Sequence, residues 1–260
     1  MSIALTNACD LACSYCYAPK HRAVLNLDSL LGWVDDLDRA GALGVGFGGG
    51  EPTLYKHLPE VCTYVAEHTG LAITMTTHGL RWNAALVSRL RGAVNFVRVS
   101  VDGTGSTYER LRGRSFERLR KALQEIAGDF RWGINTVVNE DTVGDLDAIA
   151  SLGEEYGATE LLLLPQQPTK TAGGVDQTTL RELENWILGY SGPVTLTTSG
   201  DADLGVPIAE VLPREVGLRS YAHIDATGTV RTSSYSRSGI SIEQDGVMAA
   251  LQRLARLEAR

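Results

Sequence analysis

The 260-residue sequence has few cysteines, no long apolar run and no cluster of positive charge. The absence of a lysine or arginine block, in a chain whose formal net charge is −7, argues against a nucleic-acid-binding surface. No apolar run approaches membrane-spanning length, and the amino terminus lacks a basic segment followed by an apolar core. The sequence therefore predicts a cytoplasmic protein with neither a nucleic-acid nor a membrane partner.

The four cysteines that are present are unevenly distributed. Cys9, Cys13 and Cys16 lie close together near the amino terminus, whereas Cys62 stands alone at a helical apolar position that predicts a core residue. In a reducing compartment, clustered cysteines are more often metal ligands or catalytic groups than disulfides. The spacing C-x3-C-x2-C leaves two interpretations open. One is a zinc knot completed by His21, and the other is an iron–sulfur cluster held by three thiolates with one iron left open.

The rest of the sequence alternates short apolar runs with segments of helical apolar spacing. A strand–helix unit of about thirty residues is repeated six times between residues 2 and 165. Mostly apolar strands are typical of a parallel sheet that is covered on both faces, and the regular alternation predicts an α/β fold. A doubly wound sheet and a barrel both satisfy this pattern.

The candidate functional groups all follow predicted strands. The three clustered cysteines follow the first strand, "GGGEP" (48–52) ends the second, "THG" (77–79) ends the third and "SVDG" (100–103) ends the fourth. In both candidate folds, functional groups gather at the carboxyl edge of the sheet. The pattern therefore predicts one shared site.

The cysteine motif and "GGGEP" together resemble the cluster loop and methionine-binding stretch of the radical S-adenosylmethionine (SAM) enzymes. The resemblance extends through residues 99–123 and 134–165 and so covers most of the chain. It implies a partial (β/α)6 barrel over residues 1–170, followed by a small α+β extension over residues 171–260. It also implies one 4Fe–4S cluster whose open iron binds SAM, with an electron supplied by a partner such as flavodoxin or ferredoxin.

The resemblance further implies roles for individual residues. Cys9, Cys13 and Cys16 would bind the cluster. The residues expected to contact SAM are Tyr15 near the adenine, Gly48, Gly49, Gly50 and Glu51 at the methionine end, Ser100 and Asp102 at the ribose, and Asn135 pointing into the barrel. A side chain added at Gly49 is expected to crowd the methionine end while leaving the cysteine loop intact.

The carboxyl-terminal part contains a predicted hairpin over residues 221–236, which turns at "ATG". This hairpin resembles the start of the auxiliary-cluster domain called SPASM, but no cysteine follows Cys62. The extension is therefore predicted to lack metal and to form a lid or substrate wall.

Three functions remain open from the sequence. The first is radical modification of a peptide, which the SPASM-like extension favours. The second is the same chemistry on a small metabolite such as a sugar, nucleoside or amino acid; it is favoured by the short chain, the single cluster and the start of the sequence at the first strand. The third is a zinc-knotted binding protein, which would leave "GGGEP" unexplained.

The cysteine assignment makes a direct prediction for protein purified without oxygen. Alanine at Cys9, Cys13 or Cys16 should remove most of the bound iron, because each substitution deletes one of three cluster thiolates. The matched control, Cys62→Ala, should retain wild-type iron. Iron content and visible absorbance are the measurements, and a Cys13→Ala protein with full iron content would contradict the assignment.

Overall fold

Alternating strands and helices form most of the described chain. The computed structural model describes residues 1–19, 21–169, 171–199, 204–205, 207–208 and 215–259. Its strands are β1 (Ser2–Thr6), β2 (Gly44–Gly49), β3 (Ala72–Thr77), β4 (Phe96–Ser100), β5 (Trp132–Val138), β6 (Glu160–Pro165), β7 (Thr195–Thr198), β8 (His223–Ile224), β9 (Thr229–Arg231) and β10 (Ile240–Ser241). Its helices are α1 (Leu27–Arg39), α2 (Leu58–His68), α3 (Ala84–Leu90), α4 (Gly105–Arg112), α5 (Phe116–Ala127), α6 (Leu146–Glu155), α7 (Gln177–Gly189) and α8 (Gly246–Glu258).

The strands form one sheet in the order β10-β9-β8-β1-β2-β3-β4-β5-β6-β7. Strands β1 to β7 pair in parallel with their neighbours in sequence, and the sheet ends at β7 on one side and at β10 on the other. This arrangement is the predicted partial barrel of parallel strands.

None of the described helices has the length and apolar character needed to cross a membrane.

Side chains alternate between two faces along each parallel strand, as the two-residue period of a strand requires. On β2, Val45 and Phe47 are buried in the apolar core. The intervening positions, Gly44, Gly46 and Gly48, line the interior of the barrel. Because glycine has no side chain to fill that space, the barrel encloses a cavity of about 1350 Å³.

The carboxyl-terminal segments join the same sheet at both of its edges. Strand β7 follows α7 and pairs in parallel with β6, and β8 pairs in parallel with β1. The predicted hairpin at residues 221–236 is confirmed, since β8 and β9 are antiparallel with Ile224 opposite Val230. The boundary at residue 170 stays a prediction, but the sheet itself continues across it.

One helix was not anticipated from the sequence. Helix α4 lies between β4 and the predicted helix α5, and it is short, begins at a glycine and buries only Tyr108. A segment with one buried position offers no apolar periodicity to detect. Its last residue, Arg112, nevertheless contributes to the site described below.

Helix α8 packs against α1 and makes a matched stability test possible. Leu254 is 1% exposed and Leu257 is 52% exposed on the same helix. Leu254→Ala should lower the free energy of unfolding by about 2 to 4 kcal/mol, because it leaves a cavity in the apolar core. Leu257→Ala should change it by less than about 0.5 kcal/mol. Urea unfolding measures both, and equal effects would contradict this packing.

Candidate functional site

The carboxyl edge of the sheet brings the predicted site residues to one cavity. We define the cysteine loop as residues 7–19, which follow β1. The cavity is lined by Cys9, Cys13, Tyr15, Cys16, Gly48, Gly49, Gly50, Ser100, Asp102 and Asn135, among others. Of the predicted residues, Glu51 does not line it.

The three clustered cysteines face the cavity as free thiols. Cys13 is buried, while Cys9 and Cys16 are half-buried. Burial is the largest influence on Cys9 and raises its pKa. Among the described residues, the trio of potential ligands whose atoms all lie within 4.8 Å of one another is Cys9, Asp10 and His78, not the three cysteines.

Asp102 attaches the cysteine loop to the barrel wall. Its carboxylate is fully buried and accepts hydrogen bonds from the Tyr15 hydroxyl at 2.6 Å and from the Val137 amide at 2.8 Å. Arg112 donates to the same carboxylate, and its Nη1 lies 3.7 Å from the Cys13 sulfur. Burial and the Asp102 charge raise the pKa of Tyr15, so its hydroxyl stays protonated and acts as the donor.

Asp10 attaches the outer side of the loop. His78 Nε2 donates to its carboxylate at 2.8 Å, and Arg114 donates to its backbone oxygen at 2.6 Å. His78 Nδ1 accepts from the Leu80 amide at 3.1 Å, which places the ring proton on Nε2 in the neutral tautomer. Burial is the largest single influence on Asp10 and would raise its pKa, but the hydrogen bond and charge of His78, together with hydrogen bonds from the backbone and Arg81, lower that pKa overall. The loop is therefore held on two sides.

Gly49 and Gly50 allow the loop to pass close to the end of β2. A Cβ atom at Gly49 would lie 2.3 Å from the Thr6 carbonyl oxygen, and one at Gly50 would lie 2.3 Å from the Ala8 oxygen. Gly49 also has a φ of 124°, which disfavours other residues. The expectation that a side chain at Gly49 would spare the cysteine loop is therefore wrong, since it would strike the backbone that leads into that loop.

Gly48 behaves differently from its two neighbours. A Cβ atom built there would meet no atom within 4 Å, and the residue lines the cavity. Gly48 is therefore the position in the glycine stretch where a side chain would occupy ligand space without disturbing the backbone.

Glu51 is fully buried and fastens the glycine stretch to β3. Its carboxylate accepts from the Thr53 amide and hydroxyl, from the Thr77 hydroxyl at 2.7 Å and from the His78 amide at 2.9 Å. Because both carboxylate oxygens are hydrogen-bonded within the protein, Glu51 holds the glycine stretch against β3 and does not line the cavity.

Ser100 and Asn135 form part of the opposite wall, as direct partners on β4 and β5. Asn135 Oδ1 is buried and has no hydrogen-bond partner within the described structure. A buried amide oxygen without a partner is costly, so its position in a cavity wall indicates that a ligand supplies the donor.

The sequence analysis missed Arg98 at the cavity and a ring contact made by Tyr235. Arg98 lies on β4 and lines the cavity, and its signal was a charge within the apolar run "FVRVS". Tyr235 from the carboxyl-terminal segment also lines the cavity, with its ring centroid 4.6 Å from that of Tyr17. This contact could not be anticipated from the sequence, because the two tyrosines lie more than 200 residues apart.

Residues 3–153 match the family model of the Radical SAM superfamily, and this chain belongs to that superfamily. Mycofactocin maturase MftC of Mycobacterium ulcerans (strain Agy99) is 33% identical over 163 residues, which cover 60% of this chain and 44% of MftC. Fe-coproporphyrin III synthase of Methanosarcina barkeri is 30% identical over 159 residues, which cover 58% of this chain and 40% of that enzyme. The chain thus spans about two fifths of the length of these curated relatives.

The fold is similar to that of Streptococcus suis SuiB. The SuiB structure with bound S-adenosylmethionine aligns with a TM-score of 0.76 at 18% identity, covering 92% of this chain and 62% of SuiB. The structure with bound precursor peptide SuiA gives a TM-score of 0.77 at the same identity, covering 92% and 61%. At this identity, the likeness shows a shared fold.

The superfamily uses a 4Fe–4S cluster and SAM, and the described residues fit both groups. Three thiols face one cavity, which suits a cluster with an open fourth position. The wall formed by β4 and β5 offers the partnerless Asn135 oxygen, and Gly48 leaves open space on β2. The cavity and its donor set are therefore compatible with a bound cluster and SAM.

Gly48 provides a test of this cavity. In anaerobically loaded protein, Gly48→Val should weaken SAM binding at least tenfold, or by about 1.4 kcal/mol, because the new side chain occupies open cavity space. Iron content should stay unchanged. Gly46→Val is the comparison on the same face of β2, two residues farther from the cysteine loop; its Cβ atom would lie 3.0 Å from the Thr74 hydroxyl, and it should affect SAM binding less than Gly48→Val. Equilibrium binding of SAM is the measurement, and unchanged affinity in an iron-loaded Gly48→Val protein would contradict the assignment.

Proposed function

We propose that this chain is a radical SAM enzyme that modifies a peptide by abstracting hydrogen from it. The observation that carries the proposal is the convergence of Cys9, Cys13 and Cys16 with Gly48 and Asn135 on one cavity. When bound, the cluster and SAM supply methionine and a 5′-deoxyadenosyl radical. The protein's own part is to hold these groups, orient them and exclude water.

Each of these tasks has candidate residues. The three cysteines would bind the cluster, and Gly48 with its neighbours would leave room for the methionine end of SAM. Ser100 and Asn135 would contact the ribose side from the opposite wall. The resemblance assigns Asp102 to the ribose, but its carboxylate is already engaged by Tyr15 and Arg112, so its larger contribution would be to position Tyr15.

We further propose that residues 1–260 hold a single cluster. Cys62 is fully buried within the apolar core, where burial raises the pKa of its thiol to about 12 and keeps it in the protonated form. Since no cysteine follows it, a second thiolate set is not available in this sequence. A substrate radical would then be quenched without a second metal centre in this chain.

The carboxyl-terminal segments would enclose the substrate. The cavity is lined by Tyr221 before β8, His223 in β8, Tyr235 in the loop after β9, and Met248 and Leu251 on α8. Burial lowers the pKa of His223 to about 4, so its ring is neutral at physiological pH. These side chains give this part of the cavity a wall that is partly apolar and partly polar. His223 adds no positive charge to it.

Electrons would come from a carrier such as flavodoxin or ferredoxin in the cytoplasm. Ala12 and Ser14 are exposed on the outer surface of the cysteine loop, while Cys13 between them is buried. A carrier docked on this surface would lie close to the cysteine thiols without opening the cavity to water.

A peptide substrate is supported by the similarity to MftC, a maturase, and by the fold shared with peptide-bound SuiB. The alternative of a small metabolite is supported by the similarity to Fe-coproporphyrin III synthase, whose name indicates a tetrapyrrole product. Both alternatives use the same radical-generating site.

The proposed function predicts a substrate-independent reaction. Protein prepared without oxygen should carry about four iron atoms and, on addition of dithionite and SAM, release methionine and 5′-deoxyadenosine in equal amounts. Cys13→Ala is the control and should release neither. Product analysis by chromatography is the measurement. Stoichiometric zinc, or a loaded protein that leaves SAM intact, would contradict the proposal.

A further inference from the structure

The end of helix α4 contacts one of the three clustered cysteines. Arg112 is the last residue of α4, and its Nη1 atom donates to the Cys13 sulfur at 3.7 Å. Its Nη2 atom donates to the Asp102 carboxylate. One guanidinium therefore contacts both a buried carboxylate and a candidate ligand of the cluster.

The orientation of this guanidinium is fixed by the groups around Asp102. The carboxylate of Asp102 also accepts from the Tyr15 hydroxyl at 2.6 Å and from the Val137 amide at 2.8 Å. The Arg112 guanidinium carbon lies 6.0 Å from the centre of the Tyr15 ring. Groups from the cysteine loop, from β5 and from the turn after β4 thus hold the arginine with one N–H group directed at the Cys13 sulfur.

Stability does not account for this arrangement. The Arg112 and Asp102 side chains are 10% and 1% exposed, so nearly all of their hydration is lost on folding. A buried ion pair seldom stabilises a protein more than apolar residues of similar size would. Arg112 Nε is also buried and has no hydrogen-bond partner among the described residues, which adds a further cost. The arginine therefore needs a functional explanation.

The contact with Cys13 becomes stronger when the sulfur carries a negative charge. A neutral thiol is a weak acceptor, whereas a thiolate accepts a charge-assisted hydrogen bond from a guanidinium that is always protonated. The Cys9 sulfur accepts instead from the neutral Leu11 backbone amide at 3.4 Å. Within the part of the chain that the structure describes, Arg112 is thus the charged donor to a clustered sulfur.

We propose that Arg112 raises the reduction potential of the bound cluster by donating a hydrogen bond to the Cys13 thiolate. This inference rests on the proposed function and assigns Arg112 a tuning role at the same site. Reduction adds one electron, supplied by the carrier, to the cluster and increases its negative charge. An N–H donor and a positive charge beside a sulfur stabilise that added charge, so reduction becomes easier.

The test measures the potential of cluster-loaded protein in the absence of SAM. Anaerobic protein is poised at successive potentials with dithionite and dye mediators, and electron paramagnetic resonance measures the reduced fraction. At the wild-type midpoint, Arg112→Met should have a ratio of reduced to oxidised cluster at least tenfold lower. That ratio corresponds to a midpoint lower by about 59 mV for one electron. A residue that only contacts SAM would not change this potential.

Two further variants separate the hydrogen bond from charge and from folding. Arg112→Met combined with Asp102→Asn removes both charges of the pair, so no buried charge is left uncompensated, and its potential should still lie below that of the wild type. Arg110→Met is the matched control, because Arg110 lies on the same helix and pairs with Asp141 at the exposed surface. It should keep the wild-type potential. Iron content and melting temperature show that each variant is loaded and folded.

Three results would overturn the inference. The first is a folded, iron-loaded Arg112→Met protein with the wild-type potential, even if its SAM binding is weakened. The second is a return of the double variant to the wild-type potential, which would assign the shift to the Asp102 charge alone. The third is an equal shift in Arg110→Met. Failure of the proposed function is distinct, because the wild type would then hold zinc or leave SAM intact with dithionite.

Discussion

The site depends on the close approach of two backbone segments at the start of the barrel. The Gly50 amide donates to the Thr6 oxygen at 2.7 Å, and the Glu51 amide donates to the Ala8 oxygen at 2.8 Å. These contacts exist only because Gly49 and Gly50 have no side chains, since a Cβ atom at either would overlap a carbonyl oxygen. They fix where the chain leaves β1, and hence where the cysteine loop begins. The positions of the three cysteines depend on where this loop begins.

Two buried carboxylates then secure the loop and the strand ends around it. Glu51 joins β2 to β3, and Asp102 joins the loop to β4, β5 and α4. A buried charge is tolerated only where donors surround it, and each of these carboxylates meets at least three. The hydrogen-bond donors to each carboxylate come from different strands, helices and loops. Each carboxylate therefore fixes the positions of several elements relative to one another. Removing one donor would leave a buried charge undersatisfied and would loosen the cavity wall opposite the cysteines.

Sequence reasoning identified the features that have local causes. Strand and helix order followed from apolar periodicity, and the shared edge followed from parallel strands, so "GGGEP", "THG" and "SVDG" were placed together correctly. It could not separate Gly48 from Gly49, because that difference depends on the path of Thr6 and Ala8 in space. Glu51 was expected at the cofactor because it adjoins the glycines, yet its carboxylate points to Thr77. Helix α4 and the contact between Tyr17 and Tyr235 likewise depend on tertiary packing, which a single sequence does not record.

The interior of the barrel is a cavity and is not filled by core side chains. Barrels of parallel strands usually fill their interior with branched side chains, but here β2 contributes Gly44, Gly46 and Gly48. The apolar core lies instead between the strands and the helices, where Val45, Phe47 and their neighbours are buried. The side chains that form the apolar core and those that line the cavity thus lie on opposite faces of each strand. Because the two faces alternate residue by residue, substitutions that alter the cavity need not alter the core. Inward positions such as Arg98 can therefore be substituted while the cysteine loop and its supports stay the same.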